Sequence, residues 1–323
     1  MVIDMQKCLT KIPEYMPKFD GNYKGLTRIS FFIYENEELA SNGSIYGSTG
    51  FLISIPSAMN GRIFLYAVTN RHCIQGIINP ILRFNRKDGG IAIVKTINEE
   101  WHYINNHYDI AVCSIVLNDT IDFVHAGVSY LLTDDDITKQ EIDVGEDCFM
   151  IGRFVNYDGG SNTNKPSMRF GQISITNANI IHPYSKHKNL HYKENQEAIF
   201  LDMRARTGYS GSPVFVYRTQ GSLFHENLKK SEPTKFLVPY HFMRLLGIQW
   251  GIIGDDISAN SFGDEIASAN PQNANDLKNM SIVCPAKYIL EVLNKEELKK
   301  QRDDTNKILL QQRDNAIELT SNG

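Results

Sequence analysis

Three side chains of this 323-residue chain are of the types that together activate a nucleophile: Ser210, His72 and Asp109. Ser210 stands in Gly208-Tyr209-Ser210-Gly211-Ser212-Pro213, within the stretch from Arg204 to Phe215. Glycines on both sides of one serine let the backbone turn sharply, including into positive φ that other residues resist. They also admit the close approach of a substrate backbone. A serine on such a turn is exposed, with two backbone N–H groups able to point at one spot. Those are the needs of acyl transfer: a hydroxyl nucleophile, and donors aimed where a carbonyl oxygen becomes negative. Gly, Ser and Pro are also the ordinary composition of turns, so the loop gains meaning only with a base and a group to orient it.

The base is offered by the apolar run Arg62–Thr69, which leads directly into Asn70-Arg71-His72. A strand that delivers a histidine into a loop of small residues holds an imidazole rigidly. The orienting group is offered by Asp109, which enters the strand-like run Ile110-Ala111-Val112 and would be largely buried. A buried carboxylate requires a partner. A histidine N–H is such a partner, and it fixes the tautomer whose other nitrogen takes the serine proton. The plainer alternatives are a core histidine at a strand end and an aspartate that caps a turn.

The elements that must position these groups read as short strands. Candidates are Leu26–Tyr34, Ile45–Ile55, Arg62–Thr69, Ile81–Phe84, Ile91–Lys95, Ile110–Ile115, Val144–Ile151, Phe170–Ile175, Ala198–Met203, Val214–Val216, Leu245–Ile253 and Ser281–Pro285. Turn-rich segments separate them at the spacing of an all-β barrel or sandwich. Residues 35–43 read as a polar loop, 1–24 as a surface arm, and 156–165 and 254–279 as long loops. Beyond Pro285 the period becomes helical, with Tyr288, Ile289, Val292 and Leu293 on one face. Residues 296–307 are nearly all polar, and the tail is expected to project as a solvated helix or to meet a partner.

Composition bounds the function. With 42% apolar and 22% charged residues the chain is globular, long enough for one large or two small domains. Its net charge of −4 offers no basic field for nucleic acid or anionic lipid, so neither partner is expected. No apolar run approaches 18 residues and no secretory signal stands at the start, so no membrane association is expected. The five cysteines, at 8, 73, 113, 148 and 284, lack paired spacing and read as reduced thiols of a cytoplasmic protein. The nine histidines show no ligand spacing and no phosphate-cradling loop is present, so neither metal nor other cofactor is expected.

Five pieces in order carry a family resemblance: Gly47-Ser48-Thr49-Gly50-Phe51-Leu52-Ile53, Val68-Thr69-Asn70-Arg71-His72, Asp109-Ile110-Ala111-Val112, Gly208-Tyr209-Ser210-Gly211-Ser212-Pro213 and Gly247-Ile248-Gln249-Trp250-Gly251. The chain resembles the trypsin-like, chymotrypsin-fold serine peptidases over residues 26–290, in particular their bacterial, disulfide-free branch with the HtrA-type enzymes. The resemblance implies two antiparallel six-stranded β-barrels and a C-terminal α-helix. The domains would be an arm at 1–25, a first barrel at 26–138, a second at 139–284 and a helix and tail at 285–323. His72 and Asp109 would come from the first barrel and Ser210 from the second. The oxyanion hole would be the amides of Gly208 and Ser210, and Gln249-Trp250-Gly251 would pair with an extended peptide. Thr207 would line the substrate site, and Arg204, six residues before the serine, would sit at the floor of the specificity pocket and favour acidic side chains. The alternative for Arg204 is pairing with Asp202 or Asp255 at the surface. His102 and His107 lie too near Asp109 in sequence to fit the pattern and read as surface or loop residues.

The chain departs from the secreted digestive members at Ser212, which replaces the second glycine of their Gly-Gly-Pro, and in two further places. Tyr209 stands where they carry the aspartate that receives a new N-terminus, and no cysteine in Ile45–Ile53 matches Cys73. The expected function is an intracellular serine endopeptidase acting on protein or peptide substrates. It would be gated by a regulatory protein through its loops or C-terminal helix, in a stress or anti-phage defence setting. The alternative is a silent peptidase fold that binds peptides or mediates assembly.

Overall fold

The computed structural model describes residues 10–11, 23–44, 47–104, 108–139, 141–154, 162–180, 196–205, 208–218, 242–252 and 280–321. Fifteen strands are found among them. The first nine are β1 (Thr10–Lys11), β2 (Ser30–Tyr34), β3 (Ser48–Pro56), β4 (Arg62–Thr69), β5 (Ile81–Asn85), β6 (Ile91–Lys95), β7 (Trp101–Tyr103), β8 (Ala111–Ile115) and β9 (Ala126–Gly127). They form one curved sheet in the order β6-β5-β2-β3-β4-β8-β7, with β1 on β4 and β9 on β3. The other six are β10 (Asp147–Gly152), β11 (Ser167–Ile180), β12 (Gln196–Asp202), β13 (Pro213–Arg218), β14 (Phe242–Ile252) and β15 (Ser281–Pro285), and they close into the barrel β10-β11-β12-β15-β14-β13. The expected all-β, two-barrel fold is thus present. Its first half is a half-barrel of nine strands rather than a ring of six, because among the described residues no pairing joins the outer edges of β6 and β7, and short strands add at β3 and β4.

The alternation of side chains explains why the strand sequences read as nearly continuous apolar runs. Along β4, Phe64, Tyr66 and Val68 enter one core, while Ile63, Leu65 and Ala67 enter another. The first of these cores also holds Phe149, Phe215, Ile248 and Trp250 of the second barrel, so it is the joint between the halves. A strand buried on both faces has no polar face to show.

The helices are α1 (Tyr23–Leu26), α2 (Glu37–Asn42), α3 (Arg71–Ile74), α4 (Asp134–Lys139), α5 (Lys287–Leu293) and α6 (Glu296–Ser321). The segment 35–43, read as a polar loop, contains α2. Its signals are the Asn36 side chain, which accepts from the Leu39 amide at 3.0 Å, and Gly43, which ends it at φ 64°. Tyr288, Ile289, Val292 and Leu293 are buried as their spacing predicts. The polar start of α6 does not simply project. Leu298 and Thr305 are buried, Arg302 donates to the Tyr66 hydroxyl at 3.0 Å, and Asn306 Oδ1 accepts from Ser57 Oγ and the Ala58 amide. Hydrogen bonds, together with Leu298 and Leu309 packed on the core, fasten this helix across the first sheet. The loops 156–165 and 254–279 fall largely or wholly outside the described residues. Within the former, Asn164 is clamped to Arg83 and Asn85 of β5. No helix among the described residues is long and apolar enough to cross a membrane.

One partly buried histidine is expected to make this fold sensitive to acid. His125 Nδ1 meets Ser54 Oγ at 2.8 Å, and its Nε2 is buried with no partner among the described residues. Burial lowers its pKa to about 4. Between the ordinary histidine value of about 6.5 and this depressed value the unfolded chain binds the additional proton, so stability falls as pH falls through that window. Urea melts from pH 7 to pH 4 are expected to show the decline. In His125→Gln the slope should flatten; an unchanged slope would assign the acid sensitivity elsewhere.

Candidate active site

Strand register brings the histidine and aspartate together. In the β4–β8 ladder Thr69 lies opposite Ala111, so the residues just after β4 meet those just before β8. Asn70 Nδ2 donates to the Asp109 carbonyl at 2.8 Å and the Arg71 amide donates to it at 3.4 Å. The His72 amide then donates to Asp109 Oδ1 at 2.9 Å, while His72 Nδ1 forms a short hydrogen bond with Oδ2. Both carboxylate oxygens are thereby engaged in a setting where Asp109 is fully buried and His72 is 6% exposed. Burial acts to lower the His72 pKa, but the Asp109 charge and hydrogen bond outweigh it and hold the imidazole well above its ordinary value. His72 Nε2, on the side of the ring away from Asp109, has Cys73 Sγ at 3.6 Å.

The serine loop is docked on the same edge. The Thr49 amide donates to the Ser210 carbonyl at 3.0 Å, and Thr49 Oγ1 donates to the Gly208 carbonyl at 2.7 Å. Thr49 Oγ1 also accepts from the Arg153 amide at 2.9 Å, and the Thr49 carbonyl accepts from Thr69 Oγ1 at 2.7 Å. Thr69 is three residues before His72, so one threonine ties the serine loop of the second barrel to the histidine strand of the first. From the other side, the Gly211 amide donates to the Gln249 carbonyl and the Gln249 amide to the Ser212 carbonyl, each at 2.9 Å. Ser210 is half-buried between these clamps, and its hydroxyl makes no hydrogen bond among the described residues. The amides of Gly208 and Ser210 likewise donate to no described residue.

The glycines of this loop are required by geometry. Gly208 has φ 99° and Gly211 φ 87°. A Cβ on Gly211 would lie 2.0 Å from the Thr49 carbonyl oxygen and 2.4 Å from Thr69 Oγ1. Gly211→Ala is therefore expected to lower the melting temperature and to displace Ser210. A shift of about 1 Å in a reacting group costs about 100-fold in rate. Reaction of Ser210 with an active-serine reagent, compared between the two proteins, measures it; an unimpaired rate would contradict this packing.

Tyr209 shows what replaces the missing aspartate. It is fully buried, its hydroxyl forms a short hydrogen bond with Ser167 Oγ, and Arg169 Nε donates to it at 3.1 Å. The residue before the serine is thus anchored by β11, without a new chain terminus.

The substrate-binding candidates fare unevenly. Arg204 is exposed and forms no ion pair among the described residues, Asp202 included. Thr207 and Asp255 lie outside the described residues, as does His107. His102 lies in β7 with Glu297 of α6 at 3.3 Å. Gln249, Trp250 and Gly251 lie in β14, but the Gln249 main chain is occupied by the serine loop, and the Gly251 carbonyl accepts from Gln249 Nε2 at 2.7 Å. Thr49 and the Ser167–Arg169 anchor of Tyr209 were not legible as site residues. Thr49 carried a signal in the Gly47–Ile53 piece, whereas the anchor depends on cross-strand placement that no local pattern reveals.

Comparison with known proteins agrees with this architecture. The Trypsin-like peptidase domain profile matches residues 48–223, more than half of the chain. No curated protein is significantly similar. Among solved structures, the apo protease domain of MamO from Magnetospirillum magneticum superposes with a TM-score of 0.50 at 13% identity, covering 84% of this chain and all of that one. An inactive serine-to-alanine mutant of Rv3671c from M. tuberculosis H37Rv gives 0.44 at 12% identity, covering 84% and 87%. The HtrA-type protease AlgW with a tripeptide gives 0.40 at 17% identity, covering 84% and 60%. With its half-barrel and closed barrel joined at one apolar seam, and with more than half its length matched, the chain belongs to the trypsin-like peptidase domain family.

Proposed function

We propose that this protein is a serine endopeptidase that cleaves protein substrates through an acyl-enzyme on Ser210. The observation that carries the proposal is the hydrogen-bonded pair Asp109–His72, buried beside a serine loop docked by Thr49 onto the histidine strand. Asp109 holds the Nδ1–H tautomer, so Nε2 accepts the Ser210 proton as the hydroxyl attacks the substrate carbonyl. The amides of Gly208 and Ser210 stabilise the oxyanion. His72 then returns the proton to the leaving amine, and water repeats the cycle to release the acyl group. In unliganded peptidases the serine–histidine bond is often long and tightens when substrate binds. The free thiols of Cys73, Cys113, Cys148 and Cys284 suit a reducing, cytoplasmic setting. Arg204, exposed and without an ion pair among the described residues, is the group through which an acidic substrate side chain would be held. Control would come from a protein partner bound at the loops or at α6.

The raised His72 pKa makes a prediction with a definite sign. The imidazole must be neutral to accept the proton, so kcat/KM should rise with pH through a limb above the ordinary histidine value. The same shift stabilises the fold fully below about pH 6.5, and that contribution is lost as pH rises through the folded-state value. Digestion of a peptide library across pH tests this, and its cut sites report on Arg204. Cleavage that rises on an alkaline limb supports the proposal. Absence of cleavage by the chain at every pH, with Ser210 also unreactive, would instead favour a peptide-binding module.

A further inference from the structure

A cavity of about 320 Å³ lies away from the Ser210 loop, between α4 and the wall of the second barrel. Its floor is apolar, formed by Leu132, Ile137, Ile142, Ile173, Ile199 and Leu246. Its charged groups are three carboxylates, Asp134, Asp143 and Glu197, against one ammonium, Lys287. Lys287 Nζ is already committed to Asp134 at 3.1 Å and to Glu197 at 2.8 Å. The Asp143 carboxylate has only the Val144 amide as a hydrogen-bond partner among the described residues. Three carboxylates less one ammonium leave two negative charges around an apolar floor. The volume is at the lower end of the about 300–1,000 Å³ of small-ligand pockets. An anion would be repelled, and a hydrated metal ion would gain nothing from the apolar floor.

We propose that this cavity is an effector site for a small aliphatic ammonium ion, its tail on the apolar floor and its head at the carboxylates. The site has a physical route to the histidine–aspartate pair. Glu197 Oε2, which holds Lys287, also accepts from the Tyr288 hydroxyl at 2.7 Å. The Tyr288 ring stacks on Tyr108 with centroids 3.5 Å apart, and Tyr108 immediately precedes Asp109. A cation at Glu197 therefore acts on the support beneath Asp109. The binding site stands independently of the peptidase proposal; only its effect on Ser210 rests on that reading.

The test begins with calorimetry on the full chain carrying Ser210→Ala, so that binding is read apart from catalysis. The probes are n-hexylammonium, n-hexanoate and n-hexanol. Saturable 1:1 binding of hexylammonium, at least tenfold tighter than either of the others, is expected. Asp143→Asn should weaken it at least threefold, and Ile137→Phe, which fills the cavity from α4, should remove it. If Ile137→Phe does not melt cooperatively, Thr176→Leu, at another residue lining the cavity, serves as the milder filling variant. Absence of saturable binding, equal binding of hexanoate, or binding unaffected by a folded filling variant would overturn the site. In the native-sequence chain, saturating hexylammonium should change the rate of Ser210 labelling by a fluorophosphonate at least threefold. Tyr288→Phe should bind the ion yet lose that change. An unchanged labelling rate in the native-sequence chain with the cavity filled overturns the effector role, and loss of labelling with or without the ion points instead to failure of the peptidase reading.

Discussion

Ser210→Ala is expected to lower the hydrolysis of an unstructured protein substrate by about 10⁶-fold, the loss met when the nucleophile of a serine peptidase is removed. The fold should be untouched. The Ser210 carbonyl and the neighbouring Gly211 amide keep their bonds to Thr49 and Gln249, and the hydroxyl serves no described residue. The substitution therefore separates chemistry from packing. The melting temperature should stay within a degree or two of the native chain while kcat collapses. Because the proposed oxyanion amides are main-chain groups that the substitution leaves in place, some rate above that of water should persist and KM should change little. A variant that retains most of the hydrolysis would show that Ser210 is not the nucleophile.

Asp109→Asn is expected to lower kcat by about 10⁴-fold. Asparagine has nearly the same volume and can still accept from the His72 amide through Oδ1. Its NH₂ group, however, faces His72 Nδ1, where the carboxylate Oδ2 now receives the ring proton. The imidazole must then present a lone pair at Nδ1 and carry its proton at Nε2, the nitrogen that should accept from Ser210. Removing the charge has a second, independent effect. Burial alone lowers the His72 pKa, and the Asp109 charge is the largest contribution that raises it. The alkaline limb of the pH–rate profile should accordingly move to lower pH in the residual activity. A loss of rate with the limb unmoved would mean that Asp109 supports the fold without setting the histidine.

Much of this was legible because strands carry their orders locally. The runs Arg62–Thr69 and Ala111–Ile115 alternate between two cores, and antiparallel pairing of two such strands leaves the residues at their ends as neighbours. Asn70-Arg71-His72 and Asp109 therefore meet as soon as the register is set. The serine loop was legible for a different reason: positive φ at Gly208 and Gly211 admits few residue types, so the backbone writes itself into the sequence. What escaped was set by contacts between distant segments. The Thr49 tie, the Tyr209 anchor on Ser167 and Arg169, and the occupation of the Gln249 main chain all bridge residues far apart in the chain. The helix α6 misled for a related reason. Its polar face is bound by hydrogen bonds to Tyr66, Ser57 and Ala58, which no hydrophobic period announces. Helix α2 was missed although Asn36 and Gly43 mark both its ends, because six polar-rich residues look like a loop when only period is weighed.

The central claim is that Asp109, His72 and the docked Ser210 loop form a working acyl-transfer centre. Its most direct measurement is the covalent labelling of the purified chain by a fluorophosphonate, read by intact mass and by mapping of the modified peptide. One adduct per chain is expected, on Ser210, formed faster as pH rises through the His72 limb and absent in Ser210→Ala. A folded chain that takes up no label at Ser210 at any pH, or that is labelled equally well in Asp109→Asn, would contradict it.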